Sequence, residues 1–257
     1  MRAVRLNDLR PITFKSSNVA SITERPVPGG WTDREIAIGP HRFRLYTPAD
    51  PDELLNHLES PEAATQPHLA DPYWAKLWPA APLLAEAIVR KANEGRLMAS
   101  GGHQPPEALH VLELGCGNGL VGIAASASGF PVTFSDYVPF AVELAIENAA
   151  RNGFAGAKGV VLDWRQPQNE QFPWIVAADV TYDRTNIDPL LNVLDQMLAP
   201  GGEAWFGDAG RGPATDFVIR ARDRGWSVTL YDEHDKSATI PIIGRYQRIV
   251  LQREAAE

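Results

Sequence analysis

LELGCGNGLVG, residues 112–122, is the stretch on which the fold turns. It continues the apolar run LHV and opens GLVGIAASASG, whose apolar spacing suits a helix ending at Gly129. A buried strand turning sharply into a helix is the first half of a βαβ unit. Gly115, Gly117 and Gly119 are costly in backbone entropy unless something must approach the main chain closely. The loop is therefore expected to face a ligand at the carboxyl end of a strand. Two spacings are met at once. Gly117-x-Gly119-x-x-Gly122 suits a pyrophosphate docked on a helix N-terminus. Glu113-x-Gly115-x-Gly117-x-Gly119 instead sets a carboxylate beside the loop.

From Leu109 onward, apolar runs alternate with helical patterns, as in βαβ units with a mainly parallel sheet. PVTFSD, GVVLDW, WIVAADV and GEAWFGD read as strands two to five. PFAVELAIENAARNG, IDPLLNVLDQML and ATDFVIRARDRG read as helices. Only about eleven residues separate WSVTLYDE from RYQRIVLQ, too few for a helical crossover, so these two strands are expected to form an antiparallel hairpin. Upstream, REIAIGPHRFRLYTP alternates around Gly39-Pro40 and predicts a hairpin, and DPDELLNHL a short helix. SPEAATQPHLADP reads as a loop, APLLAEAIVRKA (81–92) as a helix with Pro82 in its first turn, and SGGHQPPE as the clearest linker. The expected organisation is a polar, fraying segment 1–30, an extension 31–100 of hairpin and helices, and a main domain 101–257.

Composition narrows the functional classes. The 257 residues carry a formal charge of -8, which argues against a general nucleic-acid binder. Cys116 is the single cysteine, so no intrachain disulfide and no thiolate zinc site is expected. The six histidines are scattered without ligand spacing, and no metal is expected. No apolar run reaches the roughly 18–20 residues of a membrane span. MRAVRLNDLRPITFKSSNVA has basic and hydroxyl residues but lacks the apolar centre of a secretory signal. The expectation is a cytoplasmic monomer, the mitochondrial matrix being the lesser reading.

Four features bear on the ligand. Glu113 would repel a pyrophosphate on the helix N-terminus and suits a ligand bringing an amino group and a sulfonium. Asp136 closes strand two in FSDY and accepts ribose hydroxyls with either kind of ligand, so it does not discriminate. Asp163-Trp164 closes strand three, where an acid and an aromatic pair with and stack on an adenine. The C-terminal hairpin gives the sheet a reversed strand, which a dinucleotide-binding fold lacks. Each residue alone has a plainer reading: a tight turn at the glycines, a helix-start acid at Asp136, a core side chain at Trp164. Their joint placement at three successive strand ends carries the inference. Cys116 reads as a passive loop residue.

This pattern resembles the class I, seven-stranded methyltransferases that use S-adenosylmethionine. The resemblance implies a Rossmann-like three-layer α/β sandwich with a mostly parallel sheet in the order 3-2-1-4-5-7-6, ending in an antiparallel hairpin. Strand four ends in Asp179-Val180-Thr181-Tyr182, where substrate chemistry sits in that fold. Asp-x-x-Tyr without prolines resembles methyltransferase family 16, which contains many protein-lysine methyltransferases. DPYWAKLWPAAPLLAEAI (71–88) and GDAGR (207–211) are similar to segments of the electron-transfer-flavoprotein β-subunit lysine methyltransferases and their bacterial relatives. There the second stretch is usually Gly-Asp-Pro-Gly-Arg; here Ala209 replaces the proline. The likeness spans roughly residues 71–252, and a nicotinamide N-methyltransferase-like group shares many of its motifs.

Carried over, the resemblance implies Asp179 and Tyr182 as the catalytic pair. Glu113, Gly115, Gly117, Gly119, Asp136, Asp163, Trp164 and Trp78 fall on the cofactor side, with Trp78 also near the acceptor pocket. Tyr73, Trp74, Asp208 and Arg211 fall on the substrate side. Tyr73, Trp74 and Trp78 read equally as a buried aromatic cluster or as a rim that holds an acceptor cation. The implied partner is a protein, with the electron-transfer-flavoprotein β subunit the first to try, and the alternative acceptor is a small nicotinamide-like amine. A dinucleotide-dependent oxidoreductase and a non-catalytic cofactor-binding module stay open as different classes.

Overall fold

The computed structural model describes Ile22 and residues 25–56, 71–94 and 109–253. The linker SGGHQPPE and most of the expected loop at 60–72 lie outside the described residues, as does the end of DPDELLNHL.

Strands β1 (Trp31–Ile38) and β2 (His41–Pro48) form the first hairpin, in register from Trp31↔Pro48 to Ile38↔His41. Helix α1 (Pro51–Asn56) follows, then a 3-10 turn over Pro72–Ala75 and helix α2 (Ala80–Asn93). The main domain opens with β3 (Val111–Leu114), α3 (Leu120–Ala127), β4 (Val132–Asp136), α4 (Pro139–Arg151) and β5 (Lys158–Val161). It continues with β6 (Phe172–Ala178), α5 (Ile187–Met197), β7 (Leu198–Asp208) and α6 (Gly212–Asp223). β8 (Trp226–Tyr231), β9 (Ser237–Ala238) and β10 (Gln247–Arg253) complete it.

The sheet runs β5-β4-β3-β6-β7-β10-β8-β9. Pairings from β5 to β7 are parallel, and β10 is antiparallel to both β7 and β8. Seven of these strands stand in the order expected from sequence. The eighth, β9, adds two residues beside β8 and widens the C-terminal hairpin into a three-stranded edge. The expected third strand also ends early. Pairing with β4 stops at Val161, where the Leu162 N–H donates to the Asp136 carbonyl and a turn through Asp163 carries the chain away. Asp163 and Trp164 therefore project from the loop beyond that strand.

Alternation along the central strands builds the two interfaces. Val111, Trp174 and Trp205 face α2, α3 and α4. Leu112, Ile175 and Phe206 face α5 and α6. With period 2, Glu113 falls on the same face as Val111, towards α3. α2 meets the first layer through Leu84 and Ile88, one turn apart, and α5 meets the second through Leu190 and Leu194. Both faces of the sheet are covered, which is why its strands read as continuous apolar runs.

The N-terminal hairpin packs directly on the main domain. Asn148 accepts the Tyr46 N–H at 2.7 Å and donates to the carbonyls of Tyr46 and Asn118. One turn on, Asn152 accepts the Arg44 N–H at 2.9 Å and donates to the Arg44 carbonyl at 2.8 Å. Two side-chain amides at i and i+4 thus satisfy the free edge of β2 as a strand would. Ile22 and Val27, within the segment expected to fray, are buried with Leu54, Trp74 and Phe140 against the start of α4.

Candidate active site

The carboxyl ends of β3, β4 and β6 open onto a cavity of about 440 Å³, roofed by the segment from Asp71 to Ala81. The glycine loop forms its floor. A Cβ on Gly117, whose φ is 50°, would stand 3.1 Å from the Trp74 carbonyl oxygen, so the roof rests on bare backbone. A Cβ on Gly122 would come within 2.4 Å of the Phe134 ring. This glycine therefore lets α3 pack against β4 and belongs to the packing rather than the ligand. Gly115 and Gly117 line the cavity, whereas Gly119 lies outside its lining and caps α3.

Two buried acids flank the loop. Glu113 points at the start of α3, where its Oε2 accepts the Gly122 N–H at 2.9 Å. Burial pushes it up to about 8, against the opposing pull of that hydrogen bond. Asp136 accepts from the N–H groups of Gly117 at 3.1 Å and Val138 at 3.0 Å, and burial pushes it up to about 6. Each Asp136 oxygen keeps a lone pair for a hydroxyl. Cys116 lies buried between them; burial and both acids raise its thiol well above the ordinary value, so it is no nucleophile.

Beyond β5, Trp164 lines the cavity and its ring edge would sit 3.2 Å from a Cβ on Gly115. Asp163 also lines it, but both its oxygens are held by the Arg165 side chain at 2.8 Å. Burial raises the Asp163 pKa and the Arg165 hydrogen bonds more than reverse this, leaving it low.

Asp179, after β6, adopts φ 57°, unusual for a side-chain-bearing residue. Its Oδ2 accepts the Ala80 N–H at the start of α2 at 2.7 Å, and its Oδ1 pairs with Arg211. The side chain is 1% exposed. Each oxygen thus has one protein partner, and the carboxylate ties β6, α2 and Arg211 into one wall of the cavity that it lines. Asp208 sits behind that wall, fully buried, taking the Thr181 hydroxyl and the N–H groups of Gly210 and Arg211, each at 2.7 Å. Neither Asp208 nor Arg211 lines the cavity.

The aromatic cluster divides. Trp74 is buried, edge-on to Phe140 at 5.0 Å, and lines the cavity from the core side. Tyr73 and Tyr182 are 44% and 45% exposed at the mouth, with ring centroids 5.9 Å apart, and Trp78 lies 6.2 Å from Tyr73. Two of the protein's own cations lie over Trp78, Lys76 at 5.5 Å and Arg211 at 5.6 Å. Sequence reasoning passed over Asp71, Tyr137 and Asn186, all in the lining. Asp71 and Tyr137 stood inside quoted motifs beside residues that were singled out; Asn186 carried no signal.

The lining fits S-adenosylmethionine. Trp164 Nε1, a donor, and Asp71 Oδ1, an acceptor, are buried without hydrogen-bond partners among the described residues. The bare glycine floor admits a ligand, and the acids suit a cationic one. With that cofactor bound, Asp136 would take ribose hydroxyls and Trp164 would flank an adenine.

A sheet of this order with a glycine cradle and strand-end acids defines the class I methyltransferase fold. A solved structure of a TehB-like SAM-dependent methyltransferase from Corynebacterium glutamicum shares it, with a TM-score of 0.51 at 21% identity over 80% of this chain and all of that one. The chain belongs to the lysine methyltransferase family, whose model matches residues 66–207. Its cofactor is S-adenosylmethionine, which closes the oxidoreductase alternative. It is 30% identical over 180 residues to the zebrafish (Danio rerio) electron transfer flavoprotein beta subunit lysine methyltransferase, covering 69% of this chain and 63% of that protein. It is 28% identical over 167 residues to a ribosomal protein L11 methyltransferase from Xanthomonas campestris, covering 58% and 53%. The chain spans less than two thirds of the length of both curated relatives.

Proposed function

We propose that this chain transfers a methyl group from S-adenosylmethionine to the ε-nitrogen of a lysine on a protein. The aromatic mouth of Tyr73, Tyr182 and Trp78 carries the reading. Aromatic faces take up both the methylenes and the cationic end of a lysine side chain. Tyr73 and Tyr182 stand at the surface, where a side chain reaching in from another protein meets them first.

The bound cofactor supplies an electrophilic methyl carbon on a positively charged sulfur. The rest falls to the protein. A free lysine amine has a pKa near 10.4, so only about one in two thousand is neutral at pH 7. The mouth must favour that free base and hold its lone pair in line with the methyl carbon, and alignment with exclusion of water supplies most of the rate. In this reading Tyr182 orients the nitrogen. Asp179 acts as a positioning residue, through the Ala80 and Arg211 contacts that fix the roof.

Both curated relatives carry names that specify a protein acceptor, which supports the same class here. The electron-transfer-flavoprotein β subunit is the first substrate to try, and the cytoplasm the first compartment to examine. The test is incubation of the purified chain with methyl-labelled cofactor and either that subunit or a whole lysate, followed by mass spectrometry. Label on lysine supports the reading. Ready methylation of nicotinamide or another small amine, with no labelled protein, replaces it with the small-molecule alternative.

A further inference from the structure

Asp71 carries a carboxylate of which one oxygen finds no partner among the described residues. It stands at the start of the 3-10 turn Pro72–Ala75, where burial raises its pKa and the Tyr73 N–H opposes this, but the carboxylate does not close the full capping hydrogen bond of an aspartate there. Asp71 lines the cavity instead, and its Oδ1 is buried with no hydrogen-bond partner among the described residues. A buried acceptor left unpaired is a standing cost to the fold, and such atoms in a site call for a ligand.

Its surroundings say which kind. Burial raises the pKa of Asp136 on the cofactor side and of Tyr182 at the mouth, and the Asp71 charge reaches both and adds to the rise. The cations nearby are committed elsewhere: Lys76 to Asp52 at 2.7 Å, Arg165 to Asp163 at 2.8 Å, and Arg211 to Asp179. Among the described residues no free counter-ion therefore meets Asp71, and a cationic hydrogen-bond donor from the ligand is the natural complement.

We propose that Asp71 receives an ammonium group in this cavity, accepting its N–H through Oδ1. Two sources bring that chemistry: the α-ammonium of the cofactor, and the amine of the methyl acceptor at the transfer end. The proposal rests on the cofactor assignment and is independent of the acceptor being lysine.

Calorimetry on the full chain and its Asp71→Asn variant, with three probes, tests it. 5′-Methylthioadenosine has no ammonium, S-adenosylhomocysteine has the α-ammonium, and sinefungin has the α-ammonium and a second amine at the transfer position. The variant should bind methylthioadenosine as the parent does, which also reports that it is folded. If the α-ammonium is the source, S-adenosylhomocysteine and sinefungin both lose tenfold or more. If the transfer-end amine is the source, sinefungin alone loses that much. Should Asp71→Asn not fold, Asp71→Ser is read by the same ratios. Equal changes for all three probes, including none, overturn the proposal. Failure of all three to bind the parent overturns it together with the cofactor assignment.

Discussion

Cofactor binding should release a proton, and Glu113 is its source. With its pKa pushed up to about 8, Glu113 is about nine-tenths protonated at pH 7 in the free protein. A unit positive charge about 6 Å away, at an effective dielectric of about 20, favours the ionised form by about 2.8 kcal/mol, roughly a hundredfold in its ratio to the acid. That leaves Glu113 about nine-tenths ionised in the complex, a release of about 0.8 proton. Asp136, at about 6, is already mostly ionised and adds about 0.1. The measurement is titration calorimetry of S-adenosylmethionine at pH 7 in buffers of different ionisation enthalpy, whose slope counts protons. Glu113→Gln keeps an oxygen for the Gly122 N–H, so binding persists while the release should fall to about 0.1. A parent release below about 0.3, or an unchanged release in the variant, refutes the argument that a cation in this cavity governs Glu113.

The same raised pKa sets a pH dependence of stability. The folded protein holds the Glu113 proton more tightly than the unfolded chain, so this contribution is full below about pH 4.5 and is lost as pH rises towards about 8. Denaturant melts should show that slope in the parent and a flatter one in Glu113→Gln. Asn148→Ala removes three hydrogen bonds from a fully buried side chain and strands main-chain groups of Tyr46 and Asn118, which should cost about 2–4 kcal/mol in urea unfolding. An unchanged midpoint would mean that the hairpin adds nothing to the main domain. Trp164→Ala should weaken cofactor binding in calorimetry with little loss of melting temperature; the reverse pattern makes Trp164 core. Tyr182→Phe should cut turnover about tenfold, or about 1.4 kcal/mol of barrier, with cofactor affinity nearly unchanged; equal losses in both would assign Tyr182 to the cofactor instead.

Much of this molecule is written locally. Period and punctuation alone mark βαβ order, because a strand buried on both faces must be apolar throughout and a helix on one face must repeat every 3.6 residues. The eleven-residue gap before RYQRIVLQ is a length constraint, and it yields the reversed strand. The glycine loop with Glu113 and Asp136 is legible for the same reason: close approach and opposite charge demand particular residue types at particular strand ends. What a side chain does with its atoms is another matter, since partners come from segments distant in sequence. Asp179 reads as an acid at a strand end, and only the fold shows that its oxygens already accept from Ala80 and Arg211. Trp74 and Trp78, four residues apart, both line the cavity but differ in burial, because Phe140 packs against the first. Asn148 and Asn152 look like ordinary polar positions in a helix until the edge of β2 arrives to be satisfied. Asp71 shows the converse: a carboxylate that ends up buried with an oxygen for which the described protein supplies no partner, something only packing in three dimensions reveals.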